Sequence, residues 1–261
     1  MFYREAGQFK TSYEADQSIL PIFQDRIAMY IMLMFAFIVF PFIANDYWLG
    51  SILIPFLVLS LAALGLNVLT GYAGQISLGS AAFMAVGAFA AFNLHVRIPE
   101  IPFLLVFLWG GLCSAAVGMI FGLPSLRIKG FYLAVATLAA QFFIEWLFTH
   151  FDWFTNYSTS GVITAPPMHI FGFAIDDPLS KYFVVLTIVV LCAFGIRNLA
   201  RSEIGRAWMA VRDMDIAAEA IGINLMKTKL LAFGVSSFLC GLAAVSYTHL
   251  RAHETRHDLV C

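Results

Sequence analysis

Apolar runs of bilayer length, bounded by charges or prolines, recur along the chain. A membrane-crossing helix needs about 20 apolar residues. A charge at mid-bilayer costs about 2.5–3.5 kcal/mol on insertion scales, so charges mark the ends of spans. Residues 27–44 are charge-free and end at Asn45-Asp46-Tyr47-Trp48, a polar and aromatic interface signal. From Tyr47 to Val96 there are fifty residues without Asp, Glu, Lys or Arg, too many for one crossing and enough for two. The break falls at Gly71-Tyr72-Ala73-Gly74-Gln75, which predicts spans at 52–70 and 77–96. Arg97, Pro99, Glu100 and Pro102 close the third. Further spans are expected at 103–123 (ending at Pro124), 130–149, 179–196 and 230–245. The pattern predicts an all-α, polytopic transmembrane helix bundle of about seven spans.

Composition agrees. Of the 261 residues, 61% are hydrophobic and 12% charged, Phe alone numbers 26, and mean hydropathy is +0.85. A soluble domain carries roughly 45–50% apolar and about 25% charged residues. A net charge of −1 with no long basic run also argues against nucleic-acid binding. With the N-terminus inside, the inner segments hold Arg4, Lys10, Arg26, Arg127, Lys129, Arg197, Arg201, Arg206, Arg212, Lys227 and Lys229. The outer segments hold only Arg97 and Lys181. This bias predicts a cytoplasmic N-terminal segment (1–26), a transmembrane domain (27–245), an external loop at 150–178 and a cytoplasmic loop at 197–228. The first apolar run starts only at Ile27, behind Glu5, Glu14 and Asp16, which does not fit a cleavable signal peptide. Cys113, Cys192 and Cys240 sit in apolar runs without metal-ligand spacing, so no metal or cofactor is expected.

Two stretches carry information. Residues 71–80 (GYAGQISLGS) interrupt an apolar region with Gly71, Gly74, Gly79, Gln75, Ser77 and Ser80. Unsatisfied backbone in hydrocarbon is costly, so such a break survives only against protein or facing a water-filled cavity. It is either a plain inner-side turn whose small residues let backbones approach, or a broken helix lining a substrate path. Asn67, one turn earlier, could join that path. In the 197–228 loop, Ile204, Trp208, Val211, Met214, Ala218 and Ile221 recur at helical steps. Asp215 is placed to cap a short helix, Glu219 to sit in its body and Gly222 to stop it. Such a helix, with Arg206, Arg212 and Glu219 exposed, suits docking on a cytoplasmic partner or lying solvated at the interface. Small pairs at four-residue spacing (Gly118 with Gly122, Gly87 with Ala91, Ser237 with Gly241) favour close helix packing.

Ionisable residues within the spans are scarce. Glu145, with Gln141 one turn earlier, is the candidate for the path, although near its span's outer end it can also simply reach the interface. There is no GxxxxGK[ST] or GxGxxG motif. Any pumping energy must therefore come from a partner or an ion gradient. A transport permease without its own ATPase fits best. A stand-alone secondary transporter would show more buried carboxylates, and a polytopic membrane enzyme would show clustered Asp, Glu or His at an interface.

The chain resembles the permease subunits of branched-chain amino acid ABC transporters, the Liv-type inner-membrane permeases. The matching residues are Leu64-Gly65-Leu66-Asn67, Gly71 through Gly79, and Ala81-Ala82-Phe83. They continue with Leu126-Arg127-Ile128-Lys129-Gly130-Phe131-Tyr132-Leu133-Ala134-Val135-Ala136-Thr137-Leu138, then Ser202-Glu203-Ile204-Gly205-Arg206-Ala207, Arg212-Asp213 and Ala217-Ala218-Glu219-Ala220-Ile221-Gly222-Ile223-Asn224. The resemblance runs over about 50–245. It implies a multi-pass subunit of a bacterial inner membrane that is not itself an enzyme, carrying branched-chain amino acids or a related small polar solute. It implies as partners ATP-binding cassette ATPase subunits, a second, unlike permease subunit, an external substrate-binding protein and membrane lipid, without nucleic acid. Glu219-Ala220 with Gly222 would belong to the loop that docks on the ATPase, and the helical reading above places Arg206, Arg212 and Asp215 in the same loop. The path would be lined partly by the broken region around Asn67 and Gln75, with Gly71, Gly74 and Ser77, and the reading of the spans adds Gln141 and Glu145.

The tail departs from that pattern. After Val245 the family continues through further apolar spans, whereas here Arg251, Glu254, Arg256 and Asp258 accompany His249, His253 and His257. The 246–255 stretch resembles read-through of sequencing adapter. The expectation is that 246–261 is non-native, that the natural chain is longer, and that the histidines form no metal site.

Overall fold

The computed structural model describes Ser12 and residues 23–98, 101–126, 130–154, 169–170, 173–174 and 177–251. Expectations for Arg127, Lys129, Glu100, most of 1–26, most of the 150–178 loop, and His253 and His257 lie outside these residues. The chain divides into two compact units, Met1–Asn45 and Asp46–Cys261.

In the first unit, α1 (Phe23–Ile43) is apolar enough to span a bilayer. Its middle widens into a π-helical stretch, Phe35–Val39, where the Phe40 amide reaches back to Phe35. Pro41 follows immediately. A proline ring clashes with the carbonyl four residues earlier and removes a donor, and a wider turn accommodates both. The second unit repeats this at Trp48–Leu53, just before Pro55, where the Ile54 amide bonds Leu49.

The second unit contains α2 (Trp48–Tyr72), α3 (Ser80–Arg97), α4 (Phe103–Gly122), α5 (Phe131–His150), α6 (Pro178–Arg201), α7 (Glu203–Asp213), α8 (Asp215–Ala220) and α9 (Leu225–Arg251). Two-residue strands, His169–Ile170 and Phe173–Ala174, pair antiparallel between α5 and α6 and leave the class all-α. Among the described residues six helices are long and apolar enough to cross a membrane: α1, α2, α4, α5, α6 and the Leu225–Thr248 part of α9. The eighteen-residue α3 is not among them. Its last turns carry Asn93, His95 and Arg97. Asn93 and Arg97 are held in place. Asn93 Nδ2 donates to the Phe89 and Phe154 carbonyls at 2.9 Å, and the Arg97 guanidinium lies 3.8 Å from the Trp153 ring centroid.

The centre of the bundle is α9. In its spanning window 72% of residues are buried, against 28–39% in α2, α4, α5 and α6. It packs on α4, α3 and α2. Lipid is as apolar as leucine, so helix association in a membrane relies on close packing and interhelical hydrogen bonds rather than on expelling water. The small-residue pairs supply that closeness. A Cβ on Gly87 would fall 2.5 Å from Gly241 Cα, and Gly118 backs directly onto Ser237. A Cβ on Gly122 would meet the Phe233 side chain at 2.9 Å, and one on Gly110 would come within 3.2 Å of Ala91 Cβ. The Ser114 hydroxyl lies 2.7 Å from both the Phe83 and the Ser237 carbonyl oxygens, bridging α3 and α9 through α4. All three spacings seen in the sequence thus lie on one seam around α9.

Candidate functional site

The last turn of α2 is π-helical from Asn67 to Tyr72. The Ala73 amide bonds Val68 at 3.2 Å, and the Gln75 amide reaches Leu69 at 3.0 Å. Gly74 then turns the chain with φ +66, a conformation that costs any residue with a Cβ. From Ala73 to Gly79 burial alternates, as in an extended strand. Ala73, Gln75, Ser77 and Gly79 point inward, while Gly74, Ile76 and Leu78 are exposed. This unwound stretch is satisfied from α5, where the Leu78 amide donates to Thr137 Oγ1 at 2.9 Å. A Cβ on Gly79 would lie 2.8 Å from the Thr137 carbonyl oxygen. The Gly79 amide also donates to Ser77 Oγ at 3.3 Å.

Gln75 is 6% exposed. Neither its Nε2 nor its Oε1 finds a partner among the described residues. Each such buried group costs about 1–3 kcal/mol. With Ser77, this makes a buried, uncharged polar strip inside the apolar bundle. Asn67 is exposed, its Oδ1 lying against Gly71. Gln141 is half-buried one turn beyond Thr137, and Glu145 is exposed on α5, about 12 Å along the helix from Thr137 at 1.5 Å per residue. The expected path residues therefore do not all converge. Gly71, Gly74, Gln75 and Ser77 form one cluster, with Asn67 at its edge and Glu145 apart. Thr137, whose hydroxyl also bonds the Ala134 carbonyl at 2.9 Å, belongs to the cluster. Nothing in the sequence marks it, because a threonine in an apolar helix ordinarily bonds its own backbone.

The 197–228 loop forms two helices rather than one. Met214, at φ −159 and ψ 94, separates α7 from α8 and occupies the N-cap position of α8 without a side-chain cap. Asp215 is thus the first helical residue rather than the cap, a place where its charge still favours the helix dipole. The expected apolar stripe divides as well. Trp208, Val211 and Ala218 are buried against the chain itself, whereas Met214, Ile216 and Ile221 are 67%, 77% and 76% exposed. Trp208 Nε1 donates to the Thr228 carbonyl at 3.0 Å, anchoring α7 to the start of α9. Arg206 is exposed and donates to the Arg201 carbonyl at 3.0 Å, tying α7 to the end of α6. Glu219 and Ala220 are exposed. Gly222 ends α8 at φ +94. Its amide bonds Glu219 and the Ile223 amide bonds Ala218, both at 3.0 Å, the pair of bonds of a glycine-terminated helix.

The two sequence motifs meet at Arg212. Its Nη1 donates to the Gly71 carbonyl at 2.8 Å, and its Nε pairs with Asp213 Oδ1 at 2.9 Å. A Cβ on Gly74 would stand 2.5 Å from Arg212 Cγ. Elsewhere, α3, α4 and α5 border an open apolar pocket of about 510 Å³, lined by Val86, Val117, Phe121 and Phe148, with Asn93 and Arg97 among its lining.

Residues 48–255 match the family described as "Branched-chain amino acid transport system / permease component". The high-affinity branched-chain amino acid transport system permease protein LivM of Salmonella typhimurium LT2 is 32% identical over 207 residues, covering 70% of this chain and 48% of its own length. LivM of Escherichia coli K12 is 31% identical over the same extent. The fructose import permease protein FruG of Bifidobacterium longum is 23% identical over 256 residues, covering 92% of this chain and 70% of FruG. The chain thus spans about half the length of the LivM proteins it matches. No solved structure matches it significantly. With most of its residues, from the start of α2 to the end of α9, inside the family match, this multi-pass membrane chain belongs to the branched-chain amino acid transport permease family.

Proposed function

We propose that the chain is the path-forming permease subunit of an ATP-binding cassette importer in a bacterial inner membrane, moving branched-chain amino acids. The observation that carries this reading is the family match over residues 48–255. Its partners would be two ATPase subunits, a second, unlike permease and an external substrate-binding protein. The N-terminus and the α7–α8 loop would face the cytoplasm. The geometry of α8 supports a docking role. Met214, Ile216 and Ile221 expose apolar surface around Glu219, the kind of short anchor set that a groove on a partner receives. Arg206, Arg212, Asp215, Ala220 and Gly222 would fix that helix in place. The path would run past Gln75 and Ser77, with Asn67, Gly71 and Gly74 at the inner break and Gln141 and Glu145 leading outward along α5. A related small polar solute is the second reading, favoured by the likeness to a fructose import permease.

The test is Glu219→Lys in the assembled transporter. Charge reversal in the exposed body of α8 should prevent ATPase co-purification, or leave ATP hydrolysis running without leucine uptake, while membrane insertion stays intact. Co-purification together with uptake at the wild-type rate refutes the docking role. Uphill uptake by the purified chain alone, driven by an ion gradient, refutes the importer reading altogether.

A further inference from the structure

Arg212 lies in the last turn of α7, and only Asp213 and the extended Met214 separate it from α8. Through 141 positions of sequence its guanidinium returns to the last turn of α2, where Nη1 reaches the Gly71 carbonyl at 2.8 Å. That carbonyl is one of the orphan acceptors at a helix end, and no described backbone amide takes it. A cation there is favoured twice, as a charged donor and as a complement to the negative end of the helix dipole. The Nε–Asp213 bond fixes the plane of the guanidinium. The stem is engaged as well, since Gly74 at φ +66 leaves room for Arg212 Cβ and Cγ that no side chain could share.

One side chain therefore grips both sides of the turn that opens the 73–79 segment. Beyond that turn the segment is held by the Gln75 amide on Leu69 and the Leu78 amide on Thr137, and it carries the buried Gln75 and Ser77. Trp208 pins α7 to α9 one turn before Arg212, so α7 can pivot near Trp208 when α8 is displaced. We propose that Arg212 is a positioning residue that transmits movement of α8 to the 71–75 break, holding residues 73–79 packed in one position of the loop and releasing them in another. This rests on the coupling role proposed above for α8, and it turns Arg212 inward instead of towards the ATPase.

The test is Arg212→Gln, read in two ways. In the full chain in lipid nanodiscs, hydrogen exchange at the Gln75, Leu78 and Gly79 amides should rise tenfold or more, with the amides of α9 unchanged. In the assembled transporter, ATP hydrolysed per solute moved should rise tenfold or more while ATPase co-purification stays at the wild-type level. Gly74→Ala, whose Cβ displaces the Arg212 stem, should reproduce both effects. The double variant should be no worse than Arg212→Gln alone, since both remove one contact. Unchanged exchange overturns the proposal. So does faster exchange with an unchanged ATP-to-solute ratio, which makes Arg212 a helix cap only, or loss of the ATPase from the complex, which places Arg212 at the partner. The exchange measurement needs no partner, so its failure refutes the Arg212 contact by itself. Wild-type uptake in Glu219→Lys instead refutes the coupling role beneath it.

Discussion

Replacing glycine by alanine at two helical positions should change stability in opposite directions. At Gly87 the new methyl group would stand 2.5 Å from Gly241 Cα and 2.8 Å from its carbonyl oxygen. Carbon atoms rest at about 3.5–4.0 Å, so α3 and α9 must part by about 1 Å. The obstacle is backbone, and no rotamer change relieves it. A Cβ on Gly110 would itself lie 2.8 Å from the Gly87 carbonyl oxygen, so the displacement also strains α4. Overpacking of this kind costs about 1–3 kcal/mol, offset by the helix-propensity gain of about 1 kcal/mol for Ala over Gly. Gly87→Ala is expected to lose up to about 2 kcal/mol net. At Gly195 in α6 nothing lies within 4 Å of the added Cβ, and the same change should gain about 0.4–1 kcal/mol. Cys240, next to Gly241 and fully buried, reports on the seam. Its alkylation in the detergent-solubilised chain, followed by mass spectrometry across a temperature ramp, gives the opening midpoint. Gly87→Ala should lower that midpoint and Gly195→Ala raise or keep it. A Gly87→Ala chain as stable as wild type, or less stable Gly195→Ala than Gly87→Ala chains, would show that seam contact does not set helix association here.

Two further outcomes follow from the loop. Trp208→Ala removes a 1%-exposed side chain and its bond to Thr228, a truncation that typically costs about 3–5 kcal/mol. Trypsin should then cut at Arg206 or Arg212 well before wild type is cleaved, and equal resistance would mean that α7 is held by something else. Gly222→Ala places a Cβ at φ +94, at about 1–2 kcal/mol for a left-handed residue. Exchange at the Gly222 and Ile223 amides should quicken while α7 stays protected, and unchanged exchange would deny the glycine its role as the stop of α8.

Much of the fold is legible in the sequence because lipid imposes a length and a charge rule that each span must obey locally. Helix packing is legible for a related reason: Gly118, Gly122, Gly87, Ser237 and Gly241 are small at helical spacing, and only small residues permit the approach seen around α9. Gly222 could be read as a helix stop, since the bonds that end α8 lie within five residues. Local pattern fails where the partner is remote. Nothing near Arg212 specifies Gly71, and nothing near Leu78 specifies Thr137, 59 positions away. The periodic stripe from Ile204 to Ile221 continues straight through Met214, because periodicity records apolar spacing and not the extended φ/ψ that splits the helix. Asn67 and Glu145 look equivalent to Gln75 as polar residues in apolar surroundings. Only three-dimensional packing separates the buried amide from the two exposed side chains.

The same packing divides the second unit into a stiff and a compliant part. Around α9, Gly87 meets the Gly241 backbone and Gly65 the Ser236 carbonyl, and such contacts cannot yield by rotamer change. At the other extreme, the 73–79 segment has no helical ladder and depends on a few bonds donated across elements. Low-stability segments are where a protein can open without losing its fold. Work delivered to α8 would therefore not be absorbed by the α9 seam, which is too costly to separate. It would go to the least protected contact along its route, and the Arg212 grip on Gly71 and Gly74 is the first one it meets. A stiff core with one soft polar break beside it confines movement to the residues nearest the buried Gln75, the side chain proposed above to line the path.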